Sequence, residues 1–364
     1  MDFSLTEEQR LLSETLDRCL GEEAGFDRRK ETLRSAEGWS QDLWNTLSGL
    51  GVPASVLREV DGGLGGGAVE LALLCRSAGS ALLLEPVTSA LVGNAAFARY
   101  AGAANRQSLA AGLAEGSLIL VPVVGDPATS IRATATSEGL RLTGRAAVVY
   151  HAPCASHLVC AVTQDPDGAP MLVSVPTTAE GLRLDTLRTM DGQTAADLTF
   201  DGVLVPDSDV WVTADPPAIE WLEDLAILAL AADTLGCAER TMALTIEYLK
   251  TRQQFGGPIG RFQALQHRVV SCLSRLEELR TWLWVTAARF GGSDHDRRRS
   301  AAALKVLLAE TARHLGEEAV QLHGGMGVTE EMEVSHHFRR LTAATLRYGN
   351  ASDYLTRFAD LALA

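Results

Sequence analysis

The spacing of apolar residues changes twice along this chain, and those changes constrain its fold more than any other feature. Beyond about residue 213, apolar residues recur at helical intervals, in the stripe Leu225, Leu228, Ala232, Leu235, Met242, Ile246 and Leu249. The stripe predicts a helix of roughly 30 residues, about 45 Å long at 1.5 Å per residue. Two further stripes begin at Leu265 and Leu304, and the second ends at Gly324-Gly325. We therefore expect an antiparallel helical bundle.

The first 115 residues also show helical spacing. Thr6 and Gln9 have the separation of a capping box, and Leu11, Leu12 and Leu16 follow at helical intervals. The glycine-rich run 62–67 has the look of a phosphate loop, but it lacks a Lys-Ser/Thr pair and no predicted strand precedes it. We interpret that run as a flexible connector.

Residues 116 to about 212 show the short period of strands. Turn residues at 137–139 and 165–168 separate short apolar runs, which is typical of a small antiparallel domain. The predicted strands cover residues 117–121, 131–136, 140–143, 158–162 and 198–200. The sequence thus predicts an α+β fold with an N-terminal helical domain (1–115), a middle antiparallel β domain (116–212) and a C-terminal helical bundle (213–364).

Composition excludes several classes of function. The chain of 364 residues has a net charge of −14 and no basic stripe, which argues against a nucleic-acid partner. No window reaches the roughly 18 consecutive apolar residues of a membrane span, and the N-terminus does not have the pattern of a signal peptide. We expect a cytoplasmic protein. We expect no metal site either, and interpret His323, His336 and His337 as part of a solvated or capped helix face.

Two motifs offer the groups that a dinucleotide pyrophosphate needs. Residues 252–260 begin with Arg252 at the predicted end of the long helix and continue through Phe255 into a Gly-Gly-Pro turn. Residues 321–327 place Gln321 just before Gly324 and Gly325, which have no Cβ atom to keep a ligand away. Arg252 alone could serve as a helix-end charge and Gln321 as a surface residue. Together they supply a guanidinium, a carboxamide and backbone N–H donors.

With these motifs, the whole chain resembles the acyl-CoA dehydrogenase family. The resemblance rests on Arg-x-x-Phe-Gly at 252–256 and Gln-x-x-Gly-Gly-x-Gly at 321–327, and it extends back to the N-terminal segment 3–9. It implies a C-terminal four-helix bundle, FAD as cofactor, α,β-dehydrogenation of acyl-CoA and electron-transfer flavoprotein as acceptor. It also implies that Arg252, Phe255, Gln321, Gly324 and Gly325 contact the pyrophosphate and adenosine side of a FAD held mainly by a neighbouring subunit.

The chain departs from this family at the catalytic base. The family removes the α-proton with a carboxylate, most often in a Tyr-Glu-Gly-Thr run near the C-terminus. Here that run reads Arg-Tyr-Gly-Asn and the base position falls on Tyr348. A phenol has a reference pKa near 10 and is a poor base at neutral pH. The family's alternative seat, 26 residues before Arg252, is Ala226.

A second departure affects the segments that hold the flavin ring in the family. Where members have Thr-Glu-Pro…Gly-Ser-Asp and Trp-Ile-Thr-Asn/Ser, this chain has residues 120–126 (LVPVVGD) and 148–151 (VVYH). We call these two stretches the ring-binding segments, and we call Arg252, Phe255, Gln321, Gly324 and Gly325 the clamp residues. The clamp residues therefore match the family. The hydroxyl and backbone groups that bond the flavin ring in the family are not recognisable in this chain.

These observations predict a partner subunit of a heteromeric (α2β2) acyl-CoA dehydrogenase, whose homologous companion carries the catalytic glutamate. The family contains such heteromeric pairs, which act on bulky acyl-CoA substrates such as those with steroid side chains. The resemblance therefore implies a bulky substrate. Two alternatives stay open. One is a self-sufficient homotetramer that uses Glu223 or Asp224 as a relocated base, and the other is a flavin-free scaffold that binds acyl-CoA.

Overall fold

The computed structural model describes residues 5–125, 129–166, 168–213 and 216–363. Its residues cluster into two compact units. The helical unit comprises Met1–Arg29, Cys75–Leu83 and Leu230–Ala364, and the mixed unit comprises Lys30–Leu74 and Leu84–Ala229. The division into domains at residues 115 and 212 stays a prediction.

The helices follow the predicted order, with one group before the sheet and one after it. The helices before the sheet are α1 (Glu7–Glu23), α2 (Phe26–Arg34), α3 (Gln41–Gly49), α4 (Ala68–Ser80), α5 (Val87–Tyr100) and α6 (Ala103–Glu115). Those after it are α7 (Pro216–Thr251), α8 (Gln263–Arg289), α9 (Asp294–His323), α10 (Glu333–Leu346) and α11 (Ala351–Leu363). The apolar stripes explain α7, α8 and α9, because Leu304, Leu308 and Leu315 of α9 are fully buried.

The mixed unit contains one eight-stranded sheet. Its strands are β1 (Leu120–Val123), β2 (Ser130–Thr136), β3 (Gly139–Tyr150), β4 (His157–Gln164), β5 (Ala169–Pro176), β6 (Leu182–Arg188), β7 (Thr194–Val205) and β8 (Val210–Thr213). The order is β6-β7-β3-β2-β4-β5-β8, with β1 beside β4. All pairs are antiparallel except those of β4 with β1 and β2. A two-residue ladder, β9 (Gln253–Gln254) with β10 (Gly257–Pro258), lies apart from this sheet.

The predicted strands agree with the structure, but three strands of the sheet were not predicted. Each of the five predicted strands overlaps an observed one, whereas β5, β6 and β8 were not predicted. Strand β6 lies at the sheet edge, where Leu182 and Leu184 alternate with Arg183 and Asp185, but the alternation is short and no residue of the strand is fully buried. The turn at 165–168 joins β4 to β5, although Asp167 lies outside the described residues.

Two local predictions at the N-terminus can be judged directly. The capping box is confirmed, because Thr6 Oγ1 accepts from Gln9 N at 3.2 Å and Gln9 Oε1 accepts from Thr6 N at 3.0 Å. The glycine run 62–67 is not a loose connector. Its N–H groups at Gly63 and Gly66 donate to carbonyls of Arg58 and Ser55, so these donors are already used.

Among the described residues, no helix is long and apolar enough to cross a membrane.

Candidate functional site

The first candidate motif forms a tight turn at the end of α7. Helix α7 ends at Thr251, and the N–H of Arg252 still donates to Tyr248 O at 2.8 Å. The hairpin turn between β9 and β10 places Phe255 and Gly256 at positive φ, 52° and 81°. The Arg261 side chain donates to Phe255 O at 2.6 Å and stabilises the turn. The Phe255 ring remains 81% exposed.

Arg252 is exposed and available to a ligand. Its guanidinium makes no hydrogen bond and no ion pair with any residue that the structure describes. Only its backbone takes part in the local fold, since Arg252 O accepts from Ile259 N at 3.0 Å. A positive charge here is also favourable to the C-terminal end of α7.

The second motif leaves an open backbone surface at the end of α9. Gln321 lies in the last turn of α9, is exposed, and has no hydrogen-bond partner for its carboxamide within the described ranges. Gly324 follows the helix at φ 61°, ψ −144°, a conformation that favours glycine. A Cβ added at Gly324 or Gly325 would meet no described atom within 4 Å, so a ligand can approach this backbone closely.

An aromatic stack brings the two motifs together. The Tyr248 ring, one turn before Arg252, lies parallel to the His323 ring with centroids 4.4 Å apart and an interplanar angle of 25°. Tyr248 Oη also donates to His323 O at 3.4 Å, and His323 Nδ1 is 2.8 Å from Ala319 O. Burial lowers the pKa of His323 and so favours the neutral ring. This contact joins the ends of α7 and α9, and residue spacing does not predict it.

No carboxylate occupies either expected base seat. Tyr348 lies in the short connection between α10 and α11 at φ 61°. Its phenol oxygen accepts from Arg347 Nη2 at 3.3 Å, and the guanidinium carbon is 5.3 Å from the ring centroid. The group next to Tyr348 is therefore a guanidinium that donates a hydrogen bond to the phenol oxygen.

The second base seat lies on α7 within the mixed unit. Ala226 is 1% exposed, and its methyl group has no acid–base chemistry. Asp224 is equally buried and Glu223 is half-buried. Whether either carboxylate acts as a relocated base stays open.

Lys305 was not singled out from the sequence, and it lies under the Tyr348 connection. Its side chain is fully buried in α9, and Nζ donates to Ala344 O at 3.1 Å and to Thr345 O at 3.2 Å. These are carbonyls at the C-terminal end of α10, where a cation is favourable. Burial, and secondarily Arg347, lower the pKa of Lys305 to about 7.

The last residue of the second ring-binding segment is turned into the core of the mixed unit. His151 is fully buried at φ 63°; its Nδ1 is 2.8 Å from Ser89 Oγ and its Nε2 is 3.3 Å from Gln193 Nε2. Its backbone N–H donates to Thr194 O at 2.8 Å. The N–H of Val148 donates to Asp197 Oδ1, also at 2.8 Å. This segment uses its donors on the protein itself.

The first ring-binding segment offers little more to a ligand. Strand β1, Leu120–Val123, is buried throughout and pairs with β4. Asp126, at the end of the segment, lies outside the described residues. The residues described here fit the phosphate side of FAD at the clamp residues, and they do not fit the flavin ring at the ring-binding segments.

The histidines were predicted wrongly. His336 and His337 of α10 are 2% and 0% exposed, so they do not lie on a solvated face. His337 Nδ1 is 3.1 Å from Cys237 Sγ, and its Nε2 donates to Glu333 Oε1 at 3.4 Å. Burial lowers the pKa of His337 to about 4. Cys237 is a hundred residues away in sequence, so spacing gave no signal for this contact.

Comparison with known proteins agrees with this architecture. Residues 226–352 match the model of the acyl-CoA dehydrogenase C-terminal domain. The chain is 28% identical over 343 residues to the acyl-CoA dehydrogenase IpdE2 of Mycobacterium tuberculosis, covering 92% of this chain and 91% of that protein.

Two solved structures match over nearly the full length. A variant of the Tcur3481-Tcur3483 steroid ACAD is 31% identical with a TM-score of 0.90, over 98% of each chain. The ChsE4-ChsE5 complex from Mycobacterium tuberculosis is 25% identical with a TM-score of 0.94, over 100% of this chain and 99% of that one. This chain belongs to the acyl-CoA dehydrogenase family, which uses FAD as cofactor and oxidises a CH–CH bond.

Proposed function

We propose that this chain is one subunit of a hetero-oligomeric, FAD-dependent acyl-CoA dehydrogenase of α2β2 type. Its homologous partner supplies the catalytic glutamate and holds the flavin ring. This chain supplies the clamp residues, which contact the pyrophosphate and adenosine side of that FAD. The observation that carries the proposal is the contrast between an exposed clamp and a second ring-binding segment whose Val148 N–H and His151 ring are already hydrogen-bonded within the chain.

The clamp residues do what a phosphate site requires. The Arg252 guanidinium has no protein partner among the described residues, so binding a phosphate breaks no existing ion pair. Charge-assisted bonds of this kind are about twice as strong as neutral ones. Gln321 adds a neutral donor, and Gly324 and Gly325 let the phosphate approach the backbone.

The proton chemistry cannot come from the two expected seats in this chain. FAD held by the clamp residues and the partner subunit would supply the acceptor for the hydride that leaves the β-carbon of the acyl thioester. The α-proton needs a basic acceptor, and the oxygen of Tyr348 instead receives a hydrogen bond from Arg347. Ala226 has no acceptor at all. A carboxylate of the partner subunit is therefore the proposed base.

The relatives suggest the class of substrate. One similar structure is described as a steroid ACAD, and another is a complex named for two different chains, ChsE4 and ChsE5. We propose a bulky acyl-CoA, such as one with a steroid side chain, as substrate. Losing one catalytic site in each pair of subunits leaves room for a large acyl group. We expect electron-transfer flavoprotein as the electron acceptor and a cytoplasmic location, as the family resemblance implies.

Flavin stoichiometry tests the proposal. The chain is co-expressed with a homologous subunit that has a glutamate at the position of Tyr348 or Ala226, and bound FAD is measured against subunit mass. We expect one FAD for each pair of chains, dehydrogenase activity in the complex, and no flavin on this chain alone. The partner expressed alone is the control, and it should hold FAD less tightly than the complex.

Other outcomes identify the alternatives. One FAD per chain in the complex would show that this subunit holds a flavin of its own. A yellow, active protein without any partner would favour a homotetramer with Glu223 or Asp224 as base. A complex that stays colourless would favour the acyl-CoA-binding scaffold.

A further inference from the structure

A polar cavity in the helical unit is not used by the proposed reaction. It has a volume of about 330 Å³ and is lined by parts of α1, α2, α4, α7 and α10. This volume lies at the lower end of the range of small-molecule sites. The polar and charged lining residues that decide which ligand can bind are Ser77 and Arg76 of α4, Arg240 of α7 and Glu333 of α10.

Two glycines bring the walls of this cavity together. A Cβ on Gly79 of α4 would lie 1.8 Å from Asp233 O of α7, and a Cβ on Gly236 of α7 would lie 1.8 Å from Arg76 O of α4. Only glycine permits this close crossing of two helix backbones. The crossing places Arg76 and Arg240 on the same cavity.

The carboxylates near the cavity are already paired. Glu239 accepts from Arg76 Nε at 2.6 Å and from Arg280 Nη2 at 2.8 Å. Glu333 accepts from Arg240 at 2.8 and 3.1 Å and from His337 at 3.4 Å. Burial raises the pKa of Glu333, but these hydrogen bonds outweigh it and bring the pKa to about 2. Both carboxylates therefore already have hydrogen-bond partners within the chain.

The remaining hydrogen-bonding capacity is on the donor side. The Ser77 hydroxyl is buried, with 2% of the residue exposed, and has no hydrogen-bond partner in the described part of the chain. Neither terminal nitrogen of Arg76, nor Nη1 of Arg240, bonds to a described residue. An unsatisfied buried hydroxyl is unfavourable, so it marks a place for a hydrogen-bond partner. Asp17, at the exposed rim, is the lining carboxylate without such a pair.

We propose that this cavity binds a small oxyanion, the carboxylate or phosphate group of a metabolite, through Ser77, Arg76 and Arg240. The two guanidiniums contribute charge-assisted donors, and the hydroxyl of Ser77 contributes a neutral one at the buried end. The site is separate from the clamp residues, and it does not depend on the proposed function.

The test measures binding of inorganic phosphate and of malonate to the full chain, co-expressed with its partner where that keeps it in solution. Titration calorimetry at constant ionic strength, with chloride as the reference anion, reports saturable binding. Ser77→Ala should weaken binding about fivefold, because it removes one neutral bond, and Arg76→Gln should weaken it at least tenfold. Without an anion, Ser77→Ala should not lower the melting temperature, since the hydroxyl has no partner to lose.

Arg280→Gln is the matched control. Arg280 shares Glu239 with Arg76 and has nearly the same side-chain exposure, 35% against 34%, but it does not line the cavity. In Arg76→Gln, Glu239 keeps Arg280, so neither variant leaves that carboxylate alone. Saturable binding that weakens in Ser77→Ala and Arg76→Gln but not in Arg280→Gln supports the site, and the preferred anion distinguishes a phosphate ester from a carboxylate. No saturable binding of either anion, or equal weakening in Arg280→Gln, overturns it.

Discussion

The clamp residues and the second ring-binding segment show opposite uses of polar groups. In the clamp, the side chains of Arg252 and Gln321 are exposed and have no described protein partner. In the ring-binding segment, His151 bonds to Ser89 and Gln193 inside the core of the mixed unit. A donor that is satisfied within its own chain is not available to a ligand. One region therefore has the features of a ligand site, and the other has those of core structure.

Arg252→Ala should give the largest effect on this contrast. Loss of a charge-assisted phosphate contact, worth about 1.5–3 kcal/mol, should weaken FAD binding to the complex roughly ten- to a hundredfold. Flavin fluorescence titration of the apo complex measures the change. Lys250→Ala, an exposed cation two residues earlier on α7, is the control and should leave FAD affinity unchanged. Unchanged affinity in Arg252→Ala would show that Arg252 is only a helix-end charge.

His151→Asn tests the other side of the comparison. Asparagine is one of the two residues that the family resemblance places there, but its shorter side chain cannot keep the bonds to both Ser89 and Gln193. We expect the free energy of unfolding to fall by about 1–3 kcal/mol, with no gain of flavin. Chemical denaturation measures the loss, and His157→Asn, a half-buried histidine of the same sheet, should cost less. Flavin bound by the lone His151→Asn chain would mean that this one side chain had closed a working site.

Tyr248→Leu asks whether the stack on His323 holds the clamp in place. An aromatic pair contributes about 0.5–1.5 kcal/mol beyond its buried area, so FAD binding to the complex should weaken about two- to tenfold. Tyr248→Phe keeps the ring stack and loses only the 3.4 Å bond to His323 O, so it should bind FAD almost normally. Equal losses in the two variants would assign the effect to the hydroxyl and not to the stack.

Tyr348→Glu should have the smallest effect. It restores a carboxylate at the family's usual base position, but His151 of the second ring-binding segment stays bonded inside the core, so the isolated chain should still have no dehydrogenase activity. Acyl-CoA-dependent dye reduction is the assay, and the wild-type chain alone gives the baseline. Activity in this single variant, without a partner, would contradict the reading of the ring-binding segments.

Part of the site could be predicted from the sequence because it depends on local order. The period of apolar residues places the ends of α7 and α9, and the glycines next to those ends follow directly in the chain. The absence of a carboxylate at Tyr348 and Ala226 is likewise a property of residue identity. The edge strand β6 shows the limit of this reasoning, because its apolar alternation is short and no residue of the strand is fully buried.

What the sequence determined by itself is therefore the order of elements, the two glycine-bearing motifs and the lack of a carboxylate at Tyr348 and Ala226. Only the tertiary structure decided that Tyr248 stacks on His323, that His337 lies beside Cys237, and that Ser77 lines a cavity. The physical reason is that helix and strand periods arise from backbone geometry within a few residues. Contacts between distant segments depend on how whole helices pack, and residue spacing carries no direct signal for them.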